Sequence, residues 1–353
     1  MAKKELLSGN VAMAEAAIRA GCDFFASYPI TPQTTMLEYL STRMYEVGRE
    51  FIQAESEIGA INMVYGASAA GGRAMTATAG MAVSLMQETF SNIVAAKLPA
   101  VVVNIQRSGA GAGAIKSSQT DYHFATKSMG HGGLHAYVLS PGNVQEAVDL
   151  MYEAFDFAEK YQCMVYILTE AMVAQVMEPV TLPDWKENLP KREGCAEGNK
   201  TGIAKRINTI NRMDLRNEAG YRSFEAMYKT WQENEVRYEA YQMDDAEVVL
   251  VAAGMSARIA RSAIDKLRDE GKKVGLFRPI TLYPFPTEQI RHFKDQGVKA
   301  VVTAEVAIPM QMVDDVDFAL MGSLPSYRMD CAWTDVFTAE DIEAKLRKVL
   351  EEV

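Results

Sequence analysis

Cysteine is scarce in this 353-residue chain: Cys22, Cys163, Cys195 and Cys331 stand singly, with no Cys-x-x-Cys pair. Neither an iron–sulfur cluster nor a zinc site is encoded by that spacing, so electrons released by any redox chemistry must leave on another chain. Basic charge is also in deficit. The 36 Lys and Arg face 46 Asp and Glu, a net charge of −10, which argues against partnership with nucleic acid or an anionic membrane surface. No apolar run reaches the roughly 20 residues needed to span a bilayer. The start, Met1-Ala2-Lys3-Lys4-Glu5, lacks the apolar core and cleavage site of a signal peptide, so a cytoplasmic location is expected. Gly-x-Ser-x-Gly and the Gly-Lys-Ser/Thr ending of a P-loop are absent, as are tandem repeats.

What is present is repeated helix–strand alternation, which predicts an α/β fold with a doubly wound, mostly parallel sheet. The run Ala100-Val101-Val102-Val103-Asn104-Ile105 is the clearest strand, continuous and β-branched as in a strand covered on both faces. Further strands are predicted over 23–26, 51–54, 74–78, 136–139 and 164–168, with helices over 10–20, 35–47, 61–70, 81–97 and 144–160. Three prolines between Pro179 and Pro190 mark a linker. From Asp184 to Asp245 the chain is polar, with eleven Lys/Arg and twelve Asp/Glu, and helical spacing returns over 221–241. A second, smaller α/β unit follows, with strands over 248–252, 274–277 and 300–303 and helices over 257–270, 310–321 and 339–350. The expected division is 1–183, 184–245 and 246–353.

Three places could carry chemistry. The turn Ser27-Tyr28-Pro29-Ile30-Thr31-Pro32 follows a strand, and its two prolines fix a stiff turn that presents Thr31 where open α/β sheets bind ligands. The competing reading makes Thr31 or Thr34 a helix N-cap. Glu57 opens a helix beside Ile58, Ala60 and Ile61, apolar surroundings that favour a carboxyl able to hold or donate a proton, although helix starts collect acids as caps. Arg107 ends the Val101–Ile105 strand and could grip a small carboxylate with two parallel hydrogen bonds, or close the strand end by an ion pair. The loop Gly109-Ala110-Gly111-Ala112-Gly113 is read as a flexible loop or close backbone approach, not as a phosphate loop. His131 and His135 have helical metal spacing, but Gly132 and Gly133 between them speak against a helix and a metal site.

Taken together, separated segments resemble the alpha subunits of the thiamine-diphosphate-dependent 2-oxoacid:ferredoxin oxidoreductases, in particular the branched-chain (2-oxoisovalerate) type. They are Gly9-Asn10, Tyr28-Pro29-Ile30-Thr31-Pro32, Gln53-Ala54-Glu55-Ser56-Glu57, Ala60-Ile61-Asn62-Met63-Val64-Tyr65-Gly66-Ala67, Arg107, Ser118-Gln119-Thr120-Asp121-Tyr122, Gln145-Glu146-Ala147 and Met177-Glu178-Pro179-Val180. Arg278-Pro279 through Pro284-Phe285-Pro286 resembles the family's transketolase-C-terminal-like domain. The resemblance implies a pyrimidine-binding first domain, with Pro29, Ile30, Thr31 and Glu57 against thiamine diphosphate. Glu57 would bond the aminopyrimidine ring nitrogen, while Thr31 and Arg107 receive the substrate carboxylate. It implies coenzyme A as acyl acceptor and ferredoxin as electron acceptor. The Gly-Asp-Gly metal–diphosphate signature is absent here. Mg2+ and the iron–sulfur cluster are therefore expected on partner subunits: a beta chain, with small gamma and ferredoxin-like delta chains. The family often has Gly-Gly-Pro where this chain has Ser108-Gly109-Ala110-Gly111, which leaves open a 2-oxoglutarate specificity with Lys116 as the extra cation. A non-catalytic scaffold subunit is the third reading.

Overall fold

Runs of β-branched residues must be covered on both faces, and the chain meets that demand twice. The structure, a computed structural model, describes residues 4–127, 129–189, 192, 195–196, 207, 209, 218–331 and 335–353. In chain order, the first half consists of β1 (Glu5–Ser8), α1 (Gly9–Arg19), β2 (Phe24–Ser27), α2 (Thr34–Glu46), β3 (Glu50–Gln53), α3 (Glu57–Ala69) and β4 (Ala74–Ala79). A 3-10 turn (Gly80–Met86) leads to α4 (Gln87–Ala95), β5 (Ala100–Gln106), α5 (Tyr122–Lys127), β6 (Tyr137–Leu139), α6 (Val144–Tyr161), β7 (Met164–Glu170), α7 (Ala171–Gln175) and β8 (Met177–Val180). The second half adds α8 (Glu218–Asn234), β9 (Tyr238–Tyr241), β10 (Val248–Ala252), α9 (Gly254–Asp269), β11 (Val274–Pro279) and β12 (Thr281–Tyr283). It ends with α10 (Thr287–Arg291), β13 (Ala300–Glu305), α11 (Met312–Leu320), β14 (Ser326–Asp330) and α12 (Ala339–Glu352).

The strands form a seven-stranded sheet, β12-β6-β7-β5-β4-β2-β3, and a five-stranded sheet, β14-β13-β10-β11-β9, each parallel except for one antiparallel edge strand, while β1 and β8 pair separately as an antiparallel two-stranded ribbon. This is the doubly wound α/β architecture that the alternation predicts. Strand β5 is buried at all seven positions, between β4 and β7. Beside it, α6 is a strong amphipathic helix capped by Asn143, whose side chain accepts from Glu146 N. No helix among the described residues is long and apolar enough to cross a membrane.

Four local expectations need correction. Helix α3 begins at Glu57 rather than at 61, because Ser56 caps it by accepting from Gly59 N at 3.1 Å. The helix expected over 81–97 opens instead as the tighter 3-10 turn. Helical spacing over 221–241 stops at Asn234. Residues 238–241 instead alternate in exposure and pair with β11 as an edge strand. Residues 281–283 leave the second sheet and pair with β6 at the edge of the first. Much of the polar 184–245 stretch lies outside the described residues.

The two sheets meet across a dense polar seam. Arg278 of β11, almost fully buried, forks onto both oxygens of Glu146 at 2.7 Å and also bonds Glu239 at 2.9 Å. Residues 118–123, the end of the β5–α5 connection and the start of α5, lie along the carboxyl ends of the second sheet.

Candidate functional site

The chain leaves β2 toward one side of the sheet to form β3, then returns to the other side for β4 and β5, so the winding reverses between β2 and β4. Such a reversal opens a crevice at the strands' carboxyl ends. Here the two strands pair only at Phe24 and Phe25. Beyond that point Ser27 Oγ donates to Ala77 O at 2.6 Å, a side-chain bond in place of a ladder bond.

The proline turn lies at one lip. Its Thr31–Pro32 peptide is cis, and buried Asn10 anchors it by donating to Pro32 O at 2.8 Å and to Thr35 Oγ1 at 2.7 Å. Thr31 is exposed, and Pro29 and Ile30 are half-buried. Neither Thr31 nor Thr34 caps α2: Gln33 holds the N-cap position, without a side-chain cap bond. The capping reading of this turn therefore fails.

Arg107, at the end of β5, reaches across β4 to that turn. Its Nη1 donates to Thr31 O at 2.8 Å and its Nη2 to Ala112 O at 3.0 Å. The guanidinium carries five N–H donors, so others stay available. Its Nε is buried and has no partner among the described residues. Beneath it lies Gly80, at φ +56°, where a Cβ would come within 2.7 Å of Nε. Only glycine both adopts that backbone and leaves the arginine its place. Gly80 was not picked out from the sequence; an Ala-Gly pair directly after a strand is the only local sign of it.

Glu57 stands at the first position of α3, 8% exposed, and its carboxylate has no hydrogen bond to another described residue. Ser56 already serves the cap, so the carboxyl is not used up by the helix end. A carboxylate without a protein partner is free to accept from a ligand with a hydrogen-bonding nitrogen. The structure thus joins Thr31 and Arg107 directly. Glu57 follows β3 at the start of α3, with no hydrogen bond to either of them among the described residues.

The loop after Arg107 is closed by a bridge between Ser108 and Ala114 and by Ser108 N donating to Lys116 O at 3.1 Å. It presents Ala110, Ala112 and Ile115 to solvent. Lys116 lines a cleft with Ile115, Met172 and Asp335, a wall that does not include Arg107. His135 stacks on Tyr283 at a ring separation of 4.0 Å, and its Nδ1 faces Thr126 O at 3.1 Å, so it packs as an aromatic. Burial lowers its pKa.

Residues 15–245 match the family model described as "Pyruvate flavodoxin/ferredoxin oxidoreductase, thiamine diP-bdg", and residues 246–332 match "Pyruvate:ferredoxin oxidoreductase core domain II". The chain is 43% identical to the ketoisovalerate oxidoreductase subunit VorB of Methanothermobacter thermautotrophicus, over 89% of each chain. It is 34% identical to the 2-oxoglutarate synthase subunit KorA of Methanocaldococcus jannaschii, over 86% of this chain and 88% of that one. Among solved structures it resembles the 2-oxoglutarate:ferredoxin oxidoreductase from Magnetococcus marinus, a structure with 2-oxoglutarate, coenzyme A and succinyl-CoA bound. That match has a TM-score of 0.89 at 25% identity, covering 99% of this chain and 66% of the other.

Proposed function

The chain belongs to the pyruvate flavodoxin/ferredoxin oxidoreductase family, and from that premise we propose that it is the alpha subunit of a branched-chain 2-oxoacid:ferredoxin oxidoreductase. The reaction is oxidative decarboxylation of 2-oxoisovalerate with coenzyme A, giving acyl-CoA and CO2 while ferredoxin takes the electrons. The observation that carries this reading is Arg107 seated over Gly80, bonded to Thr31 O, with donors to spare at the crevice. Those donors suit a small carboxylate held by two parallel bonds.

Thiamine diphosphate, when bound, supplies the electron sink for loss of CO2. The unpaired carboxyl of Glu57 fits its pyrimidine ring nitrogen, and the half-buried Pro29 and Ile30 with Thr31 fit its flank. In this reading Glu57 holds the proton shared with that nitrogen, and Arg107 fixes the oxoacid carboxylate. The diphosphate and Mg2+ belong to a beta subunit that closes the crevice. The iron–sulfur cluster belongs to a ferredoxin-like delta chain, a small gamma chain completes the complex, and the assembly works in the cytoplasm. Alanine and isoleucine on the loop beside Arg107 favour an apolar substrate side chain over a second carboxylate.

The test is acyl-CoA formation by the complex reconstituted with its partner subunits. Turnover with 2-oxoisovalerate well above that with 2-oxoglutarate is expected; the reverse preference would sink the branched-chain assignment. Glu57→Gln separates catalysis from scaffolding: turnover is lost while assembly persists, whereas unchanged turnover would mark the chain as a scaffold.

A further inference from the structure

One cluster of buried polar groups stands outside the crevice. Gln119 is 7% exposed, and its backbone and side chain make five hydrogen bonds. Its N donates to Val306 O at 2.8 Å, and its Oε1 accepts from Val306 N at 3.0 Å and Ser256 Oγ at 2.8 Å. Its Nε2 donates to Ala253 O at 3.0 Å and to Glu170 Oε1 at 2.9 Å. Three of these five go to residues just past β10 and β13, and a fourth to Ser256 in the first turn of α9. The attachment continues along the same segment. Gln311 Nε2 donates to Thr120 O and His123 N to Gln311 Oε1, both at 2.7 Å, and Tyr122 Oη donates to Asp315 at 2.5 Å.

The opposite face of this segment grips β5. Asn104 Nδ2 donates to Asp121 Oδ2 at 2.9 Å, and Asp121 N donates to Gln106 Oε1 at 3.1 Å. Gln106 immediately precedes Arg107. The loop that supplies Ala112 O to Arg107 Nη2 is thus held upstream by β5 and downstream by Gln119. Beneath the segment lies a cavity of about 10 Å3 lined by Gln106, Gln119, Glu170 and Glu305, with room for about one water molecule. Glu170 Oε2 and Asn104 Oδ1 lack partners among the described residues, but the bonds of Gln119 and Asp121 hold the segment in one place, since each one lost leaves buried groups that water cannot reach.

We infer that residues 118–123 are a strut by which the second sheet sets the position of Arg107, with Gln119 and Asp121 as positioning residues for the oxoacid carboxylate. The inference rests on the functional reading above for the word oxoacid alone. The second sheet therefore acts on the reaction without touching substrate, through the rigidity of the loop behind the guanidinium.

The test uses Gln119→Glu, which keeps shape and both acceptor bonds but turns the Nε2 donor into an oxygen facing Ala253 O and Glu170. Asp121→Asn is the milder companion, keeping shape and an oxygen for Asn104. In the full chain, Gln119→Glu should speed hydrogen exchange over residues 108–117 at least tenfold while α6 and β7 stay protected. In the reconstituted complex, KM for the 2-oxoacid should rise about tenfold with KM for coenzyme A unchanged and kcat altered far less. Combined with Arg107→Lys, the same change should add less than twofold, because both act on one contact. Asp121→Asn should move KM in the same direction by a smaller factor. Unchanged exchange over 108–117, or effects on KM that multiply in the double variant, overturns the strut. A wild-type complex inactive on every 2-oxoacid refutes the functional reading instead, while the exchange measurement still decides the strut.

Discussion

Both sheets of this protein are open, largely parallel and bordered by one antiparallel strand, yet their carboxyl-end edges have opposite fates. In the seven-stranded sheet the edge is a crevice where Arg107 Nε and the Glu57 carboxylate lack partners among the described residues. In the five-stranded sheet the same edge is filled by the protein itself, although Glu170 Oε2 too has no partner among the described residues. Glu170 places its carboxylate against Gly254 at the start of α9, where a Cβ would overlap Oε1. Glu305 accepts from Gln311, Met312 and Val313 N at the start of α11, at 2.7–2.9 Å. Helix starts that could receive an anionic ligand receive the chain's own carboxylates instead. The difference teaches that topology names the place where a ligand could bind, while the pairing of polar groups there decides whether one does.

The comparison is broken most forcefully at the open edge. Glu57→Gln should cut turnover at least about a hundredfold with assembly intact, as loss of a positioned proton carrier does, read by acyl-CoA formation and by size-exclusion of the complex. Next comes the filled edge and its seam. Arg278→Ala removes the cation shared by Glu146 and Glu239, leaving Glu146 with Gly142 N and Glu239 with Arg261, and should cost about 2 kcal/mol in denaturant unfolding. Activity should fall only as far as stability does. If activity vanishes in a chain that stays folded, the seam is not merely structural and the contrast between the edges weakens.

A pH titration sharpens the filled edge further. Burial pushes the Glu170 carboxyl up from 4.5 to about 7, with the hydrogen bond from Gln119 opposing. The folded chain therefore holds this proton more tightly than the unfolded chain does, and stability falls as pH rises through that interval. Relative to Glu170→Gln, the wild type should lose at most about 3 kcal/mol between pH 4.5 and 7 and change little above it. A parallel pH profile in the two proteins would show that Glu170 is not the group responsible. The smallest effect is expected from Ser56→Ala, which removes the cap beside Glu57 and should cost about 1 kcal/mol of unfolding free energy.

Much of this was legible in the sequence, and the limits have physical causes. The β-branched run at 100–105 and the amphipathic helix at 144–160 announce themselves because periodicity is local. The 238–241 strand was hidden inside helical spacing, since only pairing with β11 selects extended backbone there. Thr31, Glu57 and Arg107 could be singled out as strand-end residues. What no spacing could show is that Arg107 leans on Thr31 across 76 residues of sequence, or that Gly80 supports it. Gln119 and Arg278 were visible as motif members, but their bonds span 134 and 132 residues, so their part in a seam depends wholly on the fold.

The short strand β12 bears on how such a chain can be divided. It comes from the second half yet completes the first sheet by pairing with β6. Severing the chain between 245 and 246 would leave the first piece with β6 as an unpaired border, a ready template for self-association. The second piece would carry an orphan strand. Co-expression of the two pieces should therefore recover soluble protein where either alone precipitates, and any gene rearrangement that separates them must keep both products in the same cell.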